Sequence, residues 1–367
     1  MNNNGTLTSP SFGVQTSGGA NITNFGMIES TARIAVFASS ANIDNSGTIQ
    51  APTGQSALST PGLATVKNSG LFVGGTNTVL STGGGVTVTD NTGTIRGTDS
   101  NGHAIKAETV ATVTNSAGGV IEANGSSGTA IQAGTLAAVT NAGLIQASGT
   151  NGTVINAASA TLTNSIGGVV EANGANAIAI QAGLVNVTNA GAINATGNIA
   201  IDASDSVIVG NSGAISAGSS AVSAINGIAV TNSGTIQTNG AGGATIAAAG
   251  NVEMTNSGTI SATGVDSIAI AAGVANNALV EVTNSATGLI TGDKFGIGIS
   301  GLVQVINAGV IRATADAGVA VSASAGAFVA NGGTIEGTGA TGGAVVANGP
   351  VAVGNTCLLY TSDAADE

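Results

Sequence analysis

The chain has 367 residues, with 6 Lys plus Arg against 18 Asp plus Glu, a formal net charge of −12, and only 7% charged and 2% aromatic residues. An ordinary globular domain carries about 25% charged residues, so this composition does not describe one. Six basic residues also exclude a nucleic-acid-binding face.

From Asn3 onward a short phrase returns about every 23 residues. It reads Asn-Ser-Gly-Thr-Ile at Asn45–Ile49, Asn232–Ile236 and Asn256–Ile260. Looser copies begin at Asn3, Asn24, Asn68, Asn91, Asn115, Asn141, Asn164, Asn189, Asn211, Asn284, Asn307, Asn331 and Asn355. A fixed period of this length marks a repeat architecture, because one unit cannot bury its apolar face alone.

Three elements are predicted in each repeat, in the same order. The first is a strand running into the anchor Asn, as in Val86-Thr87-Val88-Thr89, Val185-Asn186-Val187-Thr188 and Leu279–Thr283. Apolar and polar residues alternate there, which is the period of a strand with one buried face. An aliphatic residue recurs just before the anchor from Ile22 and Ile43 through Val66, Val88 and Val113 to Val353, and predicts an inward-facing ladder. The second strand follows the Gly of the phrase, at Thr94-Ile95, Leu144-Ile145 and Ala214-Ile215. The third lies mid-repeat, at Ala130–Ala133, Ile178–Ile180 and Val319–Val321.

No helix is expected, since 59 glycines and frequent Val, Ile and Thr oppose one. The predicted fold is all-β: a single-stranded parallel β-helix of about 15 coils, each of ~23 residues with three short strands. Each strand pairs with its counterpart one coil away at ~4.8 Å, giving a rod on the order of 70 Å long. Gly at the corners is expected to supply positive φ. The anchor Asn is placed at one corner, its amide stacked on those of its neighbours. Copies at Asn115, Asn164 and Asn284 carry two extra residues before the Ile and predict widened corners. The longest repeat, through Val265–Thr283, has room for a small loop.

One repeat domain is expected over residues 1–355, with no linker. Residues 356–367 break the pattern. Cys357–Glu367 contains the only Cys and the only Tyr, resembles read-through of a sequencing adapter, and is expected to be foreign. Met1 falls inside a repeat, and neither a signal peptide nor a run of about 18 apolar residues is visible. An internal fragment is therefore expected. Its uncapped copies at Asn3 and Asn355 predict self-association.

Few residues suggest chemistry. The only histidine, His103, sits in the most polar segment, Arg96–Glu108. A lone His without a second ligand is not a metal site, and a solvated turn is the expected role. Asp44, Lys67 and Asp90 align across coils, as do Arg96 and Glu122, predicting surface ion pairs of ~0–1 kcal/mol. Asp99, Asp202, Asp205, Asp266, Asp293 and Asp316 are scattered. A glycan-cleaving β-helix needs carboxylates, or Lys and Arg, converging from adjacent coils, and no three-coil cluster of that kind is apparent. Outward Thr pairs, such as Thr161 and Thr163, read as good strand formers rather than an ice-binding array. No catalytic, cofactor-binding or metal residue is assigned, and no cofactor is expected.

The repeated Val-Thr-Asn-Ser-Gly-Thr-Ile phrase, as at Val230–Ile236, with Ala-Ile-x-Ala segments between copies, resembles the passenger regions of bacterial autotransporters and filamentous-haemagglutinin-like adhesins. The resemblance covers residues 3 to about 355. It implies a right-handed β-helical stalk on a Gram-negative cell surface. It further implies export by type V secretion through a C-terminal outer-membrane barrel that this chain does not contain. Host or neighbouring-cell surfaces and extracellular glycans are the implied partners. The expected function is a structural stalk that contributes to adhesion or self-association, not an enzyme. The alternative is a β-helix polysaccharide lyase or glycosidase.

Overall fold

The computed structural model describes residues 1–273, 278–356 and the backbone of 359–361. It divides into two units. Unit 1 is Met1–Asn186 with Ala190–Gly197, and unit 2 is Val187–Asn189 with Asn198–Glu367. Each is a parallel β-solenoid, with about 15 turns in all. No helix occurs among the described residues.

One coil of unit 1 shows the plan. The strand Ala64–Asn68 runs into its anchor, Leu71–Gly74 follows the corner, and Asn77–Ser81 completes the turn. Ala64–Asn68 pairs in parallel with Ser40–Asn45 on one side and Val86–Asn91 on the other. The other two strands pair likewise with their counterparts. Three strands per coil are thus present as predicted. Some third strands fuse with the next anchor strand, giving single strands of 12 residues at Thr153–Asn164 in unit 1 and 13 at Ile199–Asn211 in unit 2.

Each strand contributes one ladder to the core. Ile43, Val66, Val113 and Val139 line the first wall of unit 1, all at most 3% exposed. The second wall stacks Ile28, Ile49, Phe72, Ile95, Ile121 and Ile145 in register, and the third stacks Leu58, Val79, Ile105 and Ile131. Unit 2 repeats the first wall with Val209, Val230, Met254 and Val282. Burying each such side chain is worth about 1.5–3 kcal/mol. Val353 departs from the prediction at 38% exposure, because among the described residues an anchor strand packs on only one side of it.

Val88 also departs from the common spacing. It lies three residues before Asn91, where the other ladder residues lie two before theirs. The strand absorbs the extra residue, Thr89, as a register shift against Ala64–Asn68. Asp90 then accepts from Ser116 Oγ at 2.6 Å. Lys67 aligns with Asp44 and Asp90 as expected, yet no ion pair forms there.

The corner glycines serve a different purpose from the one expected. A Cβ on Gly47 would stand 2.0 Å from the carbonyl oxygen of Gly26. The phrase needs Gly because successive coils approach too closely for any side chain, not because of φ. Positive φ is instead confined to sites such as Gly118, at φ 84°, in the widened corner after Asn115. The extra residues of the longest repeat include 274–277 and lie outside the described residues. So does the expected foreign tail, apart from Thr356 and the backbone of Leu359–Thr361, which pairs in parallel with Thr334–Gly337.

Candidate functional site

The anchor asparagines are the most regular polar feature, and from Asn3 to Asn331 they are buried. In unit 1, Asn45 Nδ2 donates to Asn68 Oδ1 at 2.8 Å, to Gly47 O at 3.2 Å and to Leu71 O at 3.3 Å. Its main-chain oxygen accepts from Ser69 N and Gly70 N of the next coil. The same amide chain runs from Asn3 to Asn164 in unit 1, and from Asn189 to Asn355 in unit 2, with links of 2.7–2.9 Å. At the widened corners Asn115, Asn164 and Asn284 reach the carbonyl four residues on instead of two. From Asn24 to Asn331 these buried amides are engaged within the fold and offer nothing to a ligand.

The solvated turn expected around His103 is present at Asp99–Asn101, whereas His103 itself opens a strand. Arg96 and Glu122 meet across adjacent coils of unit 1, and the Glu122 side chain is only 7% exposed. Gln146 on the next coil donates to the other carboxylate oxygen at 2.8 Å. This is a buried, satisfied carboxylate, so the expected surface pair is corrected to a partly buried three-residue row. Arg312 and Glu336 form a more exposed pair in unit 2, at 2.9 Å.

His103 itself stands in register with Asn77 of the preceding coil and Thr129 of the following one. Its main-chain N–H donates to Thr76 O at 2.9 Å, and the turn before it closes through Gly102 N to Asp99 O at 2.8 Å. Asp99 Oδ2 accepts from Gly54 N at 2.8 Å and Thr76 Oγ1 at 3.1 Å. Asn77 Oδ1, Asp99 Oδ1 and His103 Nδ1 are buried without a hydrogen-bond partner among the described residues. Burial, then the charge of Lys106, pushes the imidazole pKa down to about 4, with a hydrogen bond to the Thr129 main chain acting the other way. The clue in the sequence is the shared repeat position of Asn77, His103 and Thr129, each opening a third strand.

Unit 2 carries a second polar feature. Glu253 and Glu281 stand in register on adjacent coils, both exposed, with Gln304 next in the row. They border a groove of about 310 Å³ that Ile208, Gly227, Ala229 and Leu279 also line. Neither carboxylate has a cation partner within 4.0 Å among the described residues. The mean period hides this pair, because their anchors, Asn256 and Asn284, are 28 residues apart. Counting back three residues from each anchor aligns them.

The scattered aspartates do not converge. Asp293 Oδ2 accepts from Asp266 N at 2.8 Å, and Asp205 Oδ1 from Asn226 Nδ2 at 2.7 Å, each tying neighbouring coils together. No group of three His, Cys, Asp or Glu capable of holding a metal occurs among the described residues. The chain matches no known protein family, no curated protein and no solved structure.

Proposed function

We propose that the chain is a structural stalk: repeat passenger of an autotransporter-type protein at a Gram-negative cell surface, contributing to adhesion or self-association. The observation that carries this reading is the uniform coil. Each unit stacks one strand plan on a buried amide chain. Its outward rows are mostly Thr, Ser, Ala and Gly, with no Trp anywhere in the chain. Such a surface suits a spacer better than a tight binding site, whose anchors are typically Trp, Tyr or Arg. The resemblance of the repeated phrase to autotransporter passengers supplies the cellular setting, the secretion route and the outer-membrane barrel expected beyond this chain. Expression of the complete reading frame in a Gram-negative host, followed by protease shaving of intact cells, tests the reading. Release of coil peptides from intact cells supports it, and their protection until lysis overturns it.

A second reading is favoured by Glu253 and Glu281. Two carboxylates on adjacent coils beside a groove are the arrangement a polysaccharide-cleaving β-helix uses. Release of reducing sugar from pectin or related polysaccharides, lost in both Glu253→Gln and Glu281→Gln, would establish that reading over the stalk.

A further inference from the structure

One outward face of unit 2 departs from the small polar pattern. It is formed by the anchor strands, where Ile208, Ala229, Glu253, Glu281, Gln304 and Phe328 stand in register on successive coils. At ~4.8 Å per coil this row is about 24 Å long. Towards one end, Gly227 and Ala229 leave a trough between the coils of Ile208 and Glu253, which is the groove of about 310 Å³ bordered by both glutamates. Towards the other end, Ile306 is 60% exposed and Phe328 43% exposed, and both line a groove of about 530 Å³. A third groove, of about 240 Å³, joins the two, since Glu253, Glu281, Gln304 and Ile306 all border it. Large apolar side chains exposed together on a continuous face mark an interaction site, whereas scattered ones do not.

We propose that this face of unit 2 docks a basic, apolar polypeptide segment of another protein. Charge complementarity selects the occupant. Glu253 and Glu281 are exposed and directly opposite one another, with no cation within 4.0 Å among the described residues. Such like charges are unfavourable as they stand, and a Lys or Arg seated between them relieves this. The face supplies no cation of its own: neither the row from Ile208 to Phe328 nor the parallel outward row from Gly210 to Ala330 contains Lys or Arg. A second copy of the chain, at net charge −12, brings carboxylates to carboxylates. A small cation satisfies the glutamates but leaves Ile306 and Phe328 bare. A Lys or Arg side chain suits the trough, because its aliphatic stem can lie along Ile208 or Leu279 while its head reaches a carboxylate. Glu281 and Phe328 are two coils apart, ~10 Å. Side chains on one face of an extended segment recur every ~7 Å, so one basic and one apolar residue about two to four positions apart cover that distance. This docking goes beyond the stalk reading and does not rest on it.

The full chain is titrated at low salt into fluorescent peptides that alternate Lys with Leu, Glu with Leu, or Lys with Ser, and anisotropy is read. The expected result is that the Lys-Leu peptide binds about tenfold or more tighter than either control. Its affinity should fall about tenfold or more when Glu253→Gln and Glu281→Gln are combined, and likewise when Ile306→Thr and Phe328→Thr are combined. All four side chains face solvent, and Thr283 already fills the Ile306 position one coil earlier. Equal binding of the Glu-Leu peptide would report bare hydrophobicity and overturn the proposal. Equal binding of the Lys-Ser peptide would report net charge alone and do the same, as would failure of the Lys-Leu peptide to bind or an affinity unmoved by either pair of changes. Self-association of the chain that Ile306→Thr with Phe328→Thr abolishes would give the face to a second copy. Cosedimentation with phosphatidylcholine vesicles, lost in the same variant, would give it to a membrane, and either result overturns the peptide assignment. The three-peptide comparison uses the unaltered chain, so it decides even if a variant does not fold.

Discussion

Asn232 donates from Nδ2 to Asn256 Oδ1 at 2.8 Å, while its own Oδ1 accepts from Asn211 Nδ2 at 2.8 Å. Both neighbours belong to other coils, so one buried side chain joins three. Its Nδ2 also reaches Gly234 O at 3.1 Å and Thr259 O at 3.2 Å. Asn232→Ala removes all of these and strands two buried amides. The expected cost is about 2–4 kcal/mol, several times that of an average surface change. Asn232→Asp should be at least as damaging, because a carboxylate cannot donate to Asn256. Urea unfolding midpoints of the two variants measure this.

The facing of the anchor strand gives a sharper comparison. Val230 is 3% exposed, and Thr231, next in sequence, points to solvent. Val230→Asp buries a charge with no partner and should lose several kcal/mol. Thr231→Asp should stay within about 0.5 kcal/mol. Equal losses of melting temperature would contradict the side-chain alternation.

Gly47 tests the close approach of coils. Its alanine variant puts a methyl 2.0 Å from Gly26 O, a main-chain atom that cannot rotate away. A loss of about 1–3 kcal/mol is expected from overpacking of this kind. Gly227→Ala is the control. Nothing lies closer than 3.9 Å to its Cβ position, and lower unfolded-chain entropy should leave stability unchanged or raised by about 0.4–1 kcal/mol. Thermal melts of the pair separate spacing from glycine content.

The three ladders are legible in the sequence itself, through period two within each strand and a fixed distance to the anchor. So is the Arg96 to Glu122 alignment. Burial of Glu122 is not, because it depends on Arg96 and Gln146 closing over it from coils 26 and 24 residues away. The purpose of the phrase glycine is also hidden, since coil spacing has no local signature. The corner at His103 and the pair Glu253 and Glu281 need anchor-relative register, which a bulge at Thr89 and a long repeat before Asn284 disturb.

The imidazole of His103 makes stability depend on pH. Burial holds its folded pKa near 4, against 6.5 for the free side chain. Between these values the unfolded chain binds the proton and the folded chain does not. Protons therefore favour unfolding, and stability is lost as pH falls from above 6.5 towards 4. The loss attributable to this residue is on the order of 2 kcal/mol. It should be absent from His103→Gln. The measurement is the difference in melting temperature between the two proteins at pH 7 and pH 4.5.

Glu253 and Glu281 place like charges directly opposite one another on neighbouring strands, which destabilises a sheet, with no cation nearby among the described residues to offset it. Glu281→Gln keeps the shape and removes the repulsion, so it should raise the melting temperature at low salt. Exposed charges are screened over about 3 Å at 1 M salt against about 30 Å at 0.01 M, so the gain should fade as salt is added. A gain that persists at 1 M salt would point to packing rather than charge. A loss of stability at low salt would mean that the pair holds something the fold needs, and would move this face from a tolerated irregularity to the first place to look for a ligand.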